Sequence, residues 1–199
     1  ATKRCAEREA ANTDMVRRQY CALIELIDDQ IGQILDALER RGMMENTIVI
    51  FASDHGEMLG DHGMYQKSVA YEPSMRVPLI VSGPGIPVGE ESNALVELFD
   101  LNPTICELAG VAPQENIDAR SFLPLLNGET SEHRDAAITS MHNYRCIRTR
   151  THKFIQSYND RSELYDLVND PNEMRNVVDE EPELAQQLRQ RLAMEMKEG

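Results

Sequence analysis

Two short, uninterrupted apolar runs set the tightest limits on how this chain can fold. Thr47-Ile-Val-Ile-Phe-Ala52 and Val77-Pro-Leu-Ile-Val81 lack the polar alternation of a strand with one wet face. Each therefore reads as a strand covered on both sides, as in a parallel sheet. Ahead of the first run, Leu23, Ile24, Ile27, Ile31, Ile34, Leu35 and Leu38 recur at helical spacing and predict one long amphipathic helix from about Met15 to Arg41. Gly42 is its expected stop. After the second run, Leu95 to Gly110 reads as an extended stretch followed by a helix, with Asp100 as N-cap and Pro103 in the first turn. Helix, strand, long loop, strand and helix together predict an α/β fold: part of a doubly wound, mostly parallel sheet sandwiched by helices.

Beyond Leu126 the texture changes. Ala136–Met141, Tyr144–Arg150 and Lys153–Tyr158 are short, partly alternating segments between polar turns, and Glu163–Leu167 is a further short element. They predict a small antiparallel sheet. A closing amphipathic helix is expected from Glu181 to Lys197, with Leu184, Leu188, Leu192 and Met196 four apart. The predicted organisation is thus an α/β part over 1–126 and a small C-terminal α+β subdomain over 127–199.

Charge excludes whole classes of partner. Twenty Lys and Arg stand against 34 Asp and Glu, a formal net charge of −14. Such a field repels nucleic acid and anionic membrane surfaces, so neither is an expected partner. No apolar run approaches the ~20 residues needed to span a bilayer. Any anionic substrate must be held locally, by a metal or a placed cation. Cys5, Cys21, Cys106 and Cys146 are widely spread without a C-x-x-C pair. They suggest neither a zinc site nor a disulfide framework, and Cys21 and Cys106 read as small buried hydrophobes. The opening Ala-Thr-Lys-Arg reads as the interior of a longer protein.

The loop between the two runs carries the chemistry. Asp54 and His55 follow the first strand directly, where open α/β sheets bind their ligands. A carboxylate oxygen and an imidazole nitrogen can both ligate a divalent metal, and Gly56 permits a tight turn after them. Lys67 closes the loop and can hold an anionic group beside that metal as a compact point charge. The plainer reading of the same residues is a polar turn with a surface histidine.

The longer string decides between them. Ser53-Asp-His-Gly-Glu57, Gly60-Asp-His62, Lys67 and Arg76-Val-Pro-Leu-Ile80 together resemble the C-terminal signature of the sulfatase family, within the alkaline-phosphatase-like superfamily that includes phosphonate monoester hydrolases. Asp28-Asp-Gln-Ile-Gly32, Leu101-Asn-Pro-Thr-Ile-Cys-Glu-Leu-Ala-Gly110 and Glu163-Leu-Tyr-Asp-Leu-Val-Asn-Asp-Pro-Asn-Glu173 resemble the same family in the same order. The resemblance implies that Asp54 and His55 are metal ligands and that Lys67 contacts the sulfuryl or phosphoryl oxygens of the ester. Glu57 and His62 are expected to fix the loop by hydrogen bonds, and Arg76 to belong to the scaffold. The implied cation is calcium, with magnesium or manganese as alternatives.

This sequence also departs from the family pattern. The family's formylglycine arises in a C/S-x-P-S-R or C/S-x-P-A-R motif of the N-terminal half, and no Cys or Ser here has that context. The early aspartates of the metal site are missing as well. The chain is therefore expected to be the C-terminal portion of a metal-dependent sulfatase, inactive alone and paired with the missing N-terminal portion, acting on a sulfate ester of a small molecule or glycan. A phosphonate monoester or phosphodiester hydrolase of the same superfamily, and a non-catalytic binding or assembly domain, are the competing expectations. His133, His142 and His152 are read as structural or surface histidines, and Tyr144, Arg145 and Arg148 as either a substrate mouth or a cross-strand pair.

Overall fold

The computed structural model describes residues 10–196. Cys5 and the last predicted helical residue, Lys197, lie outside them. The described residues form two compact units, divided between Val88 and Gly89.

In the first unit the long helix α1 runs from Ala10 to Arg40. It ends as the sequence requires: Gly42 takes φ +64, Gly42 N donates to Glu39 O, and Met43 N donates to Leu38 O. This pair of bonds satisfies carbonyls that the helix would otherwise leave open. A turn of 3₁₀ helix over Met44–Asn46 leads into β1, Val49–Ala52, and the chain returns through the single-turn helix α2, Glu72–Met75, into β2, Leu79–Ser82.

The pairing of these strands corrects the parallel arrangement expected from the two runs. β1 and β2 are antiparallel, with Val49 opposite Ser82 and Ala52 opposite Leu79. A parallel pair needs a crossover connection, usually a full helix, and residues 53–78 supply only a short 3₁₀ turn over Asp61–Gly63 and the single turn of α2. The apolar composition reports burial preference and not strand direction. Among the described residues, Phe51, Leu79 and Ile80 of the two strands are exposed, as are Leu23, Ile24, Ile27 and Ile34 of α1. Cys21 is exposed as well, contrary to expectation, while Cys106 is half-buried and Cys146 buried.

The second unit follows its pattern closely. After Leu95, which bridges Arg134, a 3₁₀ turn over Leu98–Asp100 leads into α3, Leu101–Leu108. A single-turn helix α4, Leu123–Leu126, precedes four strands: β3 (Ala136–Met141), β4 (Tyr144–Thr149), β5 (His152–Ser157) and β6 (Glu163–Asp166). They form an antiparallel meander in the order β3-β4-β5-β6. Ile147, Phe154 and Leu164 share one face, in register across β4, β5 and β6. The C-terminal helix α5, Pro182–Glu195, covers that face with Ala185, Leu188 and Leu192. The mixed α/β class, with its small antiparallel sheet and C-terminal helix, is as expected from the sequence.

Two buried ionic groups hold this unit together. Asp100 has no exposed surface and stands at the N-cap position of α3 as predicted, but its backbone is already helical and its side chain makes no capping bond to α3. Its carboxylate instead accepts from the backbone N–H groups of Glu97 and Arg120, from His133 Nε2 at 3.1 Å, and from Arg134 through Nε at 2.8 Å and a terminal nitrogen at 2.5 Å. Burial alone would push this carboxyl up, but the Arg134 and backbone hydrogen bonds outweigh it and hold it below its ordinary value of 3.8. Glu97 beside it accepts from Ile138 N and pairs with Arg134, yet burial keeps its carboxyl above the ordinary range. The expected change of texture at residue 126 lies within this unit, since Asp100 ties the 95–120 region to the start of β3. The second group is Lys153 on β5, 2.7 Å from Glu173, with both side chains wholly buried. Glu173 itself lies at φ +57.

Breaking either group by one partner strands a buried charge. Asp100→Asn should cost about 3–5 kcal/mol in urea unfolding. The stability that Asp100 contributes is complete above its ordinary value and should fall away as pH drops through the depressed one. Glu97 acts in the opposite sense, its share being lost as pH rises through its raised value. Lys153→Met should also cost about 3–5 kcal/mol, and adding Glu173→Gln should recover part of that loss in a double-mutant cycle.

Candidate active site at the carboxyl end of the first strand

β1 ends at Ala52, and the backbone turns at once. Ser53 Oγ donates to His55 O, His55 N donates to the Asp54 carboxylate at 2.9 Å, and Gly56 N donates to Ser74 O. Gly56 is required here by contact and not by φ. A Cβ on it would lie 2.0 Å from Pro73 O, inside any tolerable distance. The loop start is thus pressed against the residues that return to β2.

The three predicted site residues converge. His55 Nδ1 lies 2.9 Å from Gly56 O, and because a carbonyl only accepts, Nδ1 carries the proton. The lone pair on Nε2 therefore faces outward, where Lys67 Nζ donates to it at 2.5 Å. Asp54 Oδ2 stands 3.5 Å from the same Nε2. Asp54 is 83% exposed and His55 39%. Two donors at that separation can share one cation at metal–ligand distances of ~2.0–2.5 Å. The Gly56 carbonyl gives His55 the hydrogen-bond partner that fixes the tautomer of a ligating imidazole. The residues present thus fit half of a divalent metal site. Among the described residues no group of three or more His, Cys, Asp and Glu is arranged to hold a metal.

The rest of the loop is fastened by contacts that the sequence did not announce. From α1, Arg17 Nε donates to Leu59 O at 2.9 Å, its guanidinium pairs with Asp61 at 2.8 Å, and Thr13 Oγ1 bonds Tyr65 OH. The half-exposed Arg17–Asp61 pair adds no more than about 1 kcal/mol. Met58 is wholly buried, and its N–H donates to Gln66 O. Glu57 fixes the loop as expected: its carboxylate accepts from Gln66 N and from Leu59 N. His62 does so differently, stacking on Tyr71 with ring centres 4.2 Å apart. Arg76 lies at the entry to β2, its N–H closing α2 on Glu72 O.

Strain gathers around the lysine. Gln66 and Ser68 take φ +70 and +76, so two non-glycine residues in the left-handed region flank Lys67. Each costs roughly 1–2 kcal/mol. Gly or Asn would have signalled such a conformation; Gln and Ser do not.

Elsewhere the remaining candidates find structural partners. His133 is held by Asp100, His152 bonds Thr151 Oγ1, and His142 is exposed. Arg145 lies over the Tyr158 ring at 5.7 Å, and Tyr144 is buried, which pushes its phenol up to about 12.

With this geometry in place, the comparisons with known proteins are unambiguous. The sequence model of the sulfatase family matches residues 1–111, and that of the C-terminal part of N-sulphoglucosamine sulphohydrolase matches residues 60–198. The chain belongs to the sulfatase family. It is 36% identical to the N-acetylglucosamine-6-O-sulfatase of Bacteroides thetaiotaomicron, over 80% of this chain and 31% of that protein. It is 34% identical to human arylsulfatase K, over 96% of this chain and 38% of that one. Among solved structures, it superposes with a TM-score of 0.84 at 34% identity on a protein in complex with its substrate D-glucosamine-2-N,6-O-disulfate, covering 91% of this chain and 40% of that one. The phosphonate monoester hydrolase of Agrobacterium radiobacter gives 0.77 at 28% identity, covering 87% and 40%. The chain spans about a third of the length of the curated relatives it matches.

Two donors such as Asp54 and His55 fall short of the six or more that a hard cation such as calcium takes. Isothermal titration of this 199-residue chain with calcium should accordingly show weak binding or none; submicromolar affinity would mean that donors beyond these two take part.

Proposed function

We propose that this chain supplies one side of the active site of a metal-dependent sulfatase. The observation that carries the reading is the convergence of Asp54, His55 and Lys67 on one point at the end of β1. Asp54 and His55 would hold a divalent cation, calcium in the first place and magnesium or manganese as alternatives. When bound, such a cation polarises the ester oxygens. Lys67 would leave the His55 lone pair and place its ammonium against the transferred group, neutralising charge that grows on the sulfuryl and leaving-group oxygens. The His55 imidazole, held by Gly56 O, would keep its orientation through that exchange. The nucleophile, a formylglycine, is assigned to a part of the whole protein beyond these residues, so this chain by itself should not turn over substrate.

The neighbour bound to a disulfated glucosamine supports a sulfated sugar as substrate. The overall charge of −14 argues that affinity for such an anion comes from the site and not from the surrounding field. We further assign the apolar faces left open on α1 and the β1–β2 pair to contacts with the remainder of the whole protein.

The likeness to phosphonate monoester hydrolase favours one second reading, in which the ester is a phosphonate monoester. A cation and a lysine serve both groups equally well. Side-by-side assays of the full-length protein with 4-nitrophenyl sulfate and a phenyl phosphonate monoester separate the two readings. The sulfate should be turned over with the higher kcat/KM, and a reversed preference would replace the sulfatase reading. Lys67→Ala should lower kcat/KM on the preferred ester about a hundredfold or more, a loss of ~2.7 kcal/mol in transition-state stabilisation.

A further inference from the structure

Lys67 is a long, exposed side chain, and such chains ordinarily sample many rotamers. Here its ammonium is aimed at one nitrogen while both backbone neighbours adopt φ values that Gln and Ser avoid. Something must hold the backbone in that state. The residue on its N-terminal side, Gln66, is gripped from two directions: its carbonyl accepts from Met58 N at 3.0 Å, and its N–H donates to the Glu57 carboxylate. Glu57 also accepts from Leu59 N at 3.4 Å. It sits two residues beyond His55, and the chain between them is locked to the α2 segment by Gly56. One carboxylate therefore connects the start of the loop, where His55 stands, to the residue that carries Lys67 back.

We infer that Glu57 is the positioning residue for Lys67, setting the register in which its ammonium meets the shared Asp54–His55 point. Glu57 reaches no reacting atom and acts only through the Gln66 N–H. A charged acceptor on a backbone N–H is among the stronger hydrogen bonds available to a loop. Its loss lets residues 66–68 relax out of the left-handed region and carries the ammonium away from the developing charge. This inference rests on the role assigned to Lys67, and its test separates the two.

The experiment measures kcat/KM of the full-length protein for a series of aryl sulfates of graded leaving-group pKa. In Glu57→Ala the rate should fall about ten- to a hundredfold for the poorest leaving group and much less for the best, a range equal to one lost charge-assisted hydrogen bond. Loss of folded protein would lower every substrate by one factor and leave the leaving-group dependence unchanged, and that result overturns the inference. E57Q keeps an oxygen for the Gln66 N–H and should restore most of the rate. Combining E57A with K67A should add little to K67A alone. If K67A itself leaves the series unaltered, the role of Lys67 fails; if K67A steepens the dependence and E57A does not, the inference about Glu57 fails by itself. Should E57A not fold, E57D carries the same test, since it keeps the charge and shortens the reach by one methylene.

Discussion

The contact between Lys67 and His55 closes a loop whose ends lie twelve residues apart in sequence and 2.5 Å apart in space. It requires three independent conditions. The imidazole must present Nε2, which the Gly56 carbonyl ensures by accepting the hydrogen bond from Nδ1–H. The chain must turn sharply at Gly56, where only a hydrogen fits against Pro73 O. Residues 66–68 must return in a strained backbone state, with Gln66 gripped by Glu57 and Met58. Strain of this kind persists only where surrounding contacts over-determine it, and in this loop it falls on Leu59 and His62 as well as on both neighbours of Lys67.

Both units use carboxylates to organise irregular backbone. Glu57 holds Leu59 and Gln66, and Asp100 holds Glu97 and Arg120. The difference lies in solvent. Glu57 is part-exposed and works by geometry, whereas Asp100 is sealed off and must be neutralised by Arg134 as well as bonded. A sealed carboxylate that loses its cation is severely destabilising, which makes the Asp100 cluster a fixed point of the second unit. The Lys153–Glu173 pair repeats the device under the meander. An acidic protein is well supplied with carboxylates for this purpose, and several of its negative charges serve architecture in addition to solubility.

Membership of the sulfatase family sharpens what the open faces mean. Apolar residues at helical spacing on α1 and along β1 and β2 are sequence features of buried elements, yet among the described residues several of them are exposed. The chain spans about a third of its curated relatives.

Much of this was legible in the sequence. Helical period placed α1 and α5, alternation and turn residues placed the four-stranded meander, and Gly42 ended α1 through the positive φ that only glycine adopts freely. Asp54, His55 and Lys67 were singled out by the resemblance of their loop to the sulfatase signature, and the structure brings their side chains together. Strand direction could not be read, since an apolar run is equally compatible with either pairing, and the antiparallel β1–β2 pair was decided by how residues 53–78 return. Asp100 stands at the cap position read from the sequence, yet its role as a buried ionic centre could not be read, because its partners Arg120, His133 and Arg134 are distant in sequence. The left-handed Gln66 and Ser68 carry no local signal either; hydrogen bonds from elsewhere in the loop impose them. Local chemistry thus chose the elements, and long-range contacts alone brought the side chains of Asp54, His55 and Lys67 to a common point.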